Sequence, residues 1–268
     1  MYRLEREDFV KAPYISLWAT LGFQAGFINA FGFLACGRYV SHITGFGTQI
    51  GLALAGSKGW LAIELLGFPL SFMVGSFTSG FFTSARLERG EVPWYGPITL
   101  ILPGILFTLA GLGVAGLFGP FAEGLVEARD FFLLFLLSFA CGMQNGCFAT
   151  LTKGQIRTTH LTGISTDIGS DFARMWFGKL SESEYALTRR TNISRIATFA
   201  AFASGSILSV LVSNRFGYAA LIVPFLTASF AYLAIRKIHN ILDIRFKTVN
   251  SLMLAKNTNL MEIVADSF

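Results

Sequence analysis

The chain has 268 residues, of which 53% are hydrophobic, 15% are aromatic and only 14% are charged, and its formal net charge at pH 7 is +5. This apolar content excludes an intrinsically disordered chain, and three cysteines are too few for a disulfide scaffold. A mean hydropathy of +0.58 indicates an integral membrane protein. The basic residues lie between apolar stretches and not along one helix face, so we expect no nucleic-acid partner.

Apolar stretches of the length needed to cross a bilayer occur six times. A hydrocarbon core about 30 Å thick requires about 20 apolar residues in a helix. The predicted spans cover residues 13–36, 60–85, 95–119, 131–152, 196–213 and 218–235. Together they predict an all-α polytopic membrane protein in contact with the lipid bilayer. Two further stretches, 40–56 and 161–177, are weakly apolar and carry His, Thr and Gly, so we interpret them as re-entrant or interfacial segments.

The distribution of Lys and Arg predicts the orientation, because cytoplasmic loops retain positive charge. With six spans and the N-terminus inside, the inner segments hold 17 of the 21 basic residues and the outer segments hold four. Counting the two weak stretches as full spans would lower this bias and place Arg174 within the membrane. We therefore predict a cytoplasmic N-terminus over residues 1–12 and a cytoplasmic tail over residues 236–268.

The sequence shows no pattern typical of a catalytic or metal centre. Cys36, Cys141 and Cys147 lie in or at the ends of predicted spans and lack metal-ligand spacing. We therefore expect small buried side chains there, and no metal or other cofactor. No nucleophile and base recur together at a recognisable spacing, so we expect that the protein is not an enzyme.

An internal repeat is the most informative feature of the sequence. Residues 41–51 align without a gap on residues 159–169 and are identical at six of eleven positions, including a shared His-x-Thr-Gly motif. Upstream, Asn29 and Asn145 each end a Gly-x-x-Asn pattern. Two of the three histidines thus fall at equivalent places, and we interpret the chain as a duplication. The first copy covers residues 13–119 and the second covers residues 131–235.

The number of spans in each copy predicts how the two copies are related. Each copy holds three spans, an odd number, so the second copy must enter the membrane from the opposite side. The charge count independently places the first His-x-Thr-Gly segment in an outer connection and the second in an inner one. We therefore predict two inverted three-helix repeats, each with a broken or re-entrant His-x-Thr-Gly segment. Many secondary transporters form a midplane site from this arrangement.

The repeated segments have the chemistry of a broken helix. A Ser or Thr hydroxyl in each segment could accept a hydrogen bond from the free N–H groups of the following turn. The candidates are Ser41 and Thr44 in the first copy, and Thr159 and Thr162 in the second. Gly45 and Gly163 permit a close approach of the backbone. Two helix N-termini converging from opposite faces would favour an anion or the carboxylate of a small solute.

The polar residues of the two copies have functional and structural interpretations. His42 and His160 could bind or carry protons, or they could satisfy backbone carbonyls. Asn29 and Asn145 could line a polar cavity, or they could join helices through hydrogen bonds. Asp167, close to His160, could carry a coupling proton, or it could lie on a wetted helix face. The candidate substrate-binding residues are Asn29, His42, Thr44, Gly45, Asn145, His160, Thr162, Gly163 and Asp167.

Glycines at four-residue spacing recur in the corresponding first spans of the two copies. The pairs are Gly22 with Gly26 and Gly142 with Gly146. This spacing is typical of helices that pack closely in membranes, and it predicts such contacts without any ligand.

The paired Ser/Thr-His-x-Thr-Gly motifs, within residues 22–51 and 138–169, resemble those of the YoaK-like family of bacterial integral membrane proteins, which is a domain of unknown function. The similarity covers most of residues 13–235. Phe46 stands where many members have Asn, so we assign no polar contact to that position. The resemblance implies a multi-pass protein of the bacterial inner (plasma) membrane but no substrate.

Three functional classes fit these patterns. A secondary transporter or facilitator of a small, anionic solute is our leading interpretation, because interrupted segments in inverted repeats are typical of transporters. A channel would use the same fold with a continuous polar path. A membrane scaffold or assembly protein without transport activity could retain the repeats as architecture. In each class the protein could form a homo-oligomer.

Overall fold

The structure is a computed structural model that describes residues 6–125, 127–152, 154, 158–231, 233–237 and 240. Over these residues the chain forms helices and no strand, which confirms the predicted all-helical class. Most of the predicted tail over residues 236–268 lies outside the described residues.

The long helices begin and end where local sequence signals favour it. In chain order the elements are α1 (Arg6–Phe9), α2 (Ala12–Cys36), α3 (Ile43–Ala55), α4 (Gly59–Phe82), α5 (Ser84–Glu88), α6 (Tyr95–Val114), α7 (Ala128–Leu151), α8 (Leu161–Phe177), α9 (Glu182–Phe216), a 3-10 turn (Gly217–Leu221) and α10, which covers residues 222–231 and 233–237. Helix α2 ends at Cys36 because Gly37 adopts a φ of 69° and donates its N–H to Phe33. Helix α9 begins at a capping box, in which the Ser181 N–H donates to the Glu184 carboxylate at 3.1 Å.

Five helical segments are long and apolar enough to cross a membrane. They are Ala12–Cys36, Gly59–Glu88, Tyr95–Val114, Ala128–Leu151 and Glu182–Lys237. The first four match the first four predicted spans. The fifth contains both of the last two predicted spans, 196–213 and 218–235, on either side of the 3-10 turn.

The chain reverses direction at that turn, as the contacts of α9 and α10 with α2 indicate. Gly22 of α2 lies against Thr198 of α9, and Gly26, one turn further along α2, lies against Phe202, one turn further along α9. Helices α2 and α9 are therefore parallel. Gln24 of α2 contacts Thr227 of α10, whereas Phe31, further along α2, contacts Tyr218, which precedes α10 in the 3-10 turn. Helices α2 and α10 are therefore antiparallel. Helices α9 and α10 are therefore antiparallel to each other.

Two predicted boundaries differ from the structure. Helix α6 ends at Val114 and not at residue 119, because Gly116 adopts a φ of 85° just beyond it. The predicted span 196–213 is only the apolar part of α9, a helix of 35 residues. Its first turns carry charged residues, which a hydropathy window excludes although they are compatible with a helix.

The two weakly apolar stretches form short helices. Helix α3 covers 13 residues of the stretch 40–56, and α8 covers 17 residues of the stretch 161–177. Both fall short of the about 20 residues that a span requires. Helix α3 packs on α4, and α8 packs on α9.

Glycines allow the long helices to approach closely. A Cβ atom built on Gly26 would lie 2.0 Å from the Phe202 carbonyl oxygen, and one built on Gly142 would lie 2.0 Å from that of Phe72. The predicted close packing is confirmed at these positions, where α2 meets α9 and α7 meets α4. Helices α2 and α7 cross in the centre, and there the Gln24 amide donates to the Gln144 amide oxygen at 3.0 Å.

Candidate functional site

Each copy packs its first long helix against a helix of the other copy, and the two contacts use equivalent positions. Helix α2 of the first copy packs on α9 of the second, and α7 of the second packs on α4 of the first. The equivalent close approaches are Gly26 to Phe202 and Gly142 to Phe72, and likewise Gly205 to Phe23 and Gly75 to Phe139. The pattern Phe-x-x-Gly-Ser-x-x-Ser, at residues 72–79 and 202–209, is a second internal similarity, which sequence reasoning missed.

In the first copy, Asn29 holds the segment that precedes α3. Its side-chain oxygen accepts hydrogen bonds from the Val40 N–H at 3.0 Å, the Ser41 N–H at 3.1 Å and the Ser41 hydroxyl at 3.1 Å. Asn29 lies seven residues before the end of α2, which corresponds to about 10 Å along the helix. The segment after α2 therefore turns back into the helical bundle, and His42 follows directly.

In the second copy, Asn145 and Gln144 hold the segment that precedes α8. The Asn145 amide donates to the Thr159 hydroxyl, and its oxygen accepts from the Thr159 N–H at 3.4 Å. The Gln144 amide donates to the Thr158 hydroxyl at 2.8 Å. The equivalent asparagines thus have the same positioning role, and His160 follows directly.

The two segments meet at one cavity of about 230 Å³. Its lining residues come from both copies and are Asn29, Ser41, His42, Ile43, Thr44, Thr159, His160, Leu161, Thr162 and Phe202. Helices α2 and α7 are antiparallel, since Gln24 contacts Gln144 and Trp18 packs on Phe148. The segments that follow these helices therefore reach the cavity from opposite ends of the bundle.

The N-termini of α3 and α8 point their first turns at this cavity. His42 and His160 occupy the N-cap positions, and neither helix has a side-chain cap hydrogen bond at that position. The expected Ser or Thr cap is therefore not observed. The Ser41 hydroxyl donates to Asn29, and the Thr159 hydroxyl accepts from Asn145. The first N–H groups of a helix lack intrahelical acceptors, so both helices direct partial positive charge towards the cavity.

The histidine rings pack against neighbouring aromatic residues. The His42 ring lies 5.9 Å from Tyr39, and the His160 ring lies 6.0 Å from Phe72. A Cβ on Gly45 would lie 3.0 Å from the Nδ1 atom of His42, so the glycine leaves room for this ring over the first turn of α3. Across the described residues, no group of three or more His, Cys, Asp or Glu side chains could hold a metal ion.

The predicted site residues divide into two groups. Those that line the cavity are Asn29, His42, Thr44, His160 and Thr162. Of the others, Asn145 lies behind Thr159, and Gly45 lies under the His42 ring. Gly163 faces open space, and the Asp167 carboxylate forms an ion pair with Arg195 at 2.9 Å outside the cavity.

Sequence reasoning missed Phe202, Ser41 and Thr159 as lining residues, although the last two stand at equivalent positions of the repeat. It also missed Arg195 as the partner of Asp167 and Asp171. The ion pair of Asp171 with Arg174, three residues along the same helix, could be foreseen and is present at 3.1 Å.

A family model matches residues 17–234, a range that includes both His-x-Thr-Gly segments and most of both copies. That family is described as a protein of unknown function (DUF1275), which agrees with the resemblance found in the motifs. No curated protein and no solved structure matches the chain.

Proposed function

The chain belongs to the DUF1275 family of proteins of unknown function, and we propose that it is a secondary transporter or facilitator of a small anionic solute. One observation carries this proposal. Two duplicated polar segments, which follow antiparallel helices, line a single cavity. A scaffold protein has no need of such a convergence, whereas a carrier needs a site that both sides of the membrane can reach.

We also propose that the chain folds as two inverted repeats with three long helices each. The support is the direction of equivalent helices, since α2 and α7 run antiparallel and meet at Gln24 and Gln144. Equivalent helices that cross a bilayer in opposite directions belong to inverted copies. With the basic residues inside, both termini are cytoplasmic. The resemblance to a family of bacterial integral membrane proteins favours the inner membrane.

The depth of the cavity supports a midplane site. The contact of Gln24 with Gln144 sets Gly26 opposite Gly142 in the antiparallel helices α2 and α7. These two glycines are also equivalent positions of the repeat, so they mark the centre between the copies. Asn29 and Asn145 each lie three residues beyond them, which corresponds to about 4.5 Å along the helix. The segments that these asparagines hold therefore lie near the middle of the bundle.

The lining of the cavity favours an anion. Two helix N-termini, two imidazole rings and several hydroxyl groups offer hydrogen-bond donors, and among the described lining residues there is no Asp or Glu. A volume of about 230 Å³ has room for a solute of a few non-hydrogen atoms together with bound water. We propose a small carboxylate or inorganic anion as the solute, bound without a cofactor and without a chemical reaction.

Flux measurements in proteoliposomes test the proposal. We expect the wild-type protein to carry at least one of a panel of labelled formate, acetate, chloride and nitrate. The double variant His42→Ala/His160→Ala should lower this flux by about tenfold, the effect of losing about 1.4 kcal/mol of stabilisation.

Gly80→Ala is the matched control, because a Cβ at Gly80 meets no atom within 4 Å and the variant should keep the wild-type flux. If the double variant transported as fast as the control, or if no anion crossed, a scaffold without transport activity would be the better interpretation.

A further inference from the structure

The contact between α8 and α9 leads from the cavity to a cluster of charged residues. Thr162 and Phe202, from the two helices, line the cavity. Asp171 lies nine residues beyond Thr162, and Arg195 lies seven residues before Phe202. These separations correspond to about 13 Å and about 10 Å along the helices. Separation of α8 from α9 would therefore connect the cavity with the region of Arg195.

We name the side chains of Asp167, Asp171, Arg174, Asn192 and Arg195 the Arg195 cluster. Arg195 donates to Asp171 at 2.8 Å, to Asp167 at 2.9 Å and to the Asn192 oxygen at 3.2 Å. Its own side chain is only 6% exposed, whereas that of Asp167 is 51% exposed. The cluster is thus buried on one side and open on the other.

The buried side of the cluster is incompletely satisfied. The Nε atom of Arg195 and the Nδ2 atom of Asn192 are buried donors, and neither has an acceptor among the described residues. Both residues are at least nine-tenths buried, with Asn192 only 2% exposed. Water that entered between α8 and α9 would accept hydrogen bonds from these two donors. The closed contact leaves both donors unsatisfied, so hydration favours separation of the two helices.

The equivalent contact in the first copy, between α3 and α4, is mainly apolar and uncharged, although the Gln49 side-chain oxygen is buried there without a donor among the described residues. The residues that correspond to Asp167, Asp171, Asn192 and Arg195 are Gln49, Ala53, Ala62 and Leu65. Ala53, Ala62 and Leu65 are all buried. Phe46 adds a ring stacked on Phe68, with centroids 4.5 Å apart. No ion pair joins α3 to α4 among the residues that the structure describes.

Water affects these two contacts in opposite ways. When a gap fills with water, separated ions regain much of the hydration that they lost on burial. Apolar side chains in the same gap become exposed to water, which is unfavourable. A water-filled opening is therefore easier to form between α8 and α9 than between α3 and α4.

We propose that the α8–α9 contact is the gate of the cavity on the side rich in Lys and Arg, and that it opens by hydration of the Arg195 cluster. Helix α3 stays against α4 meanwhile. This inference rests on the proposed function only in that the cavity must open to release a solute.

Thiol labelling tests the gate without any solute. A cysteine is introduced as Thr159→Cys, because Thr159 lines the cavity and is buried while α8 contacts α9. A membrane-impermeant maleimide is then added to membrane vesicles of either orientation. The wild-type chain supplies the background, because Cys36, Cys141 and Cys147 are buried. We expect labelling from the side of the Arg195 cluster.

Two variants should change the labelling rate in opposite directions. Asp171→Asn removes one charge of a buried pair but leaves the contact polar, and it should raise the rate by at least about fivefold. Asp171→Ala/Arg195→Leu introduces the apolar pair of the first copy, and it should lower the rate about fivefold. Leu65→Met, at the position equivalent to Arg195, is the matched control and should leave the rate unchanged.

Equal labelling rates in both variants and in the control would overturn the gate. If Asp171→Asn fails to fold, the double variant alone decides, since it leaves no unpaired charge at these two positions. Flux in proteoliposomes separates the two proposals. Absent flux with the expected labelling removes only the transport proposal, and normal flux with unaltered labelling removes only the gate.

Discussion

Helices α3 and α8 occupy equivalent places in the two copies and begin at the same cavity, yet they are attached to the bundle by different forces. Apolar side chains around Ala53 and Leu65 hold α3 on α4, whereas Arg195 and two carboxylates hold α8 on α9. Both copies retain Asn29 or Asn145 as the anchor of the polar segment. The equivalent segments thus share the asparagine anchor, whereas the contacts that hold the following short helix on the bundle differ.

The largest expected effect comes from breaking the ionic contact on one side only. Arg195→Leu should lower the free energy of unfolding by about 3–5 kcal/mol, because it leaves the nearly buried Asp171 without its main partner. Combining it with Asp171→Ala should recover this loss, since an apolar pair is often neutral or stabilising by about 1–4 kcal/mol.

Thermal or denaturant unfolding in detergent measures both values, and Leu65→Ala in the first copy is the comparison. It should cost about 2–5 kcal/mol as a simple cavity, with no second substitution able to restore the loss. Strictly additive effects of the two changes at Asp171 and Arg195 would contradict an ionic contact there.

A smaller effect is expected where the copies are alike. Gly26→Ala and Gly142→Ala each place a Cβ 2.0 Å from a carbonyl oxygen of the partner helix, so each should lower stability by about 1–3 kcal/mol. Gly104→Ala in α6 meets no atom within 4 Å and should raise stability by up to about 1 kcal/mol. Melting temperatures compare the three variants. A large loss at only one of the first two glycines would show that the packing of the copies is not equivalent.

The smallest effect is expected at an exposed ion pair, in contrast to the buried Arg195 cluster. Glu91 lies between α5 and α6, and its hydrogen bond from the Arg89 side chain lowers its pKa below the ordinary value of 4.5. The charged carboxylate therefore contributes stability that is fully present above pH 4.5 and is lost as the pH falls through the lowered pKa. Glu91→Gln should shift the melting temperature only slightly at pH 7, and not at all once the pH lies well below the lowered pKa of Glu91. A difference that grew at acidic pH would contradict this assignment.

The sequence allowed several parts of the fold and the site to be predicted. Apolar length placed the long helices, and the mixture of His, Thr and Gly in residues 40–56 and 161–177 distinguished α3 and α8 from full spans. The repeat paired His42 with His160, and the structure brings both to one cavity.

Other parts could not be predicted, because they depend on long-range contacts or on helix signals that hydropathy does not detect. Arg195 lies 24 residues from Asp171 along the chain, so no local spacing relates the two. The start of α9 at Glu182 is polar and depends on the capping box at Ser181. Phe202 lines the cavity only because Gly26 lets α9 approach α2.

The amide contact between Gln24 and Gln144 has a consequence for how the copies fit together. The two glutamines are not at equivalent positions, since Ala140 corresponds to Gln24 and Ile28 corresponds to Gln144. A symmetric crossing of apolar helices could slide to neighbouring alignments of similar energy. A single polar pair placed off the symmetry position selects one alignment, as a lone polar residue does in a coiled coil. The pair of Gln24 and Gln144 therefore fixes one alignment of α2 with α7. Any movement of the two halves relative to each other starts from that alignment.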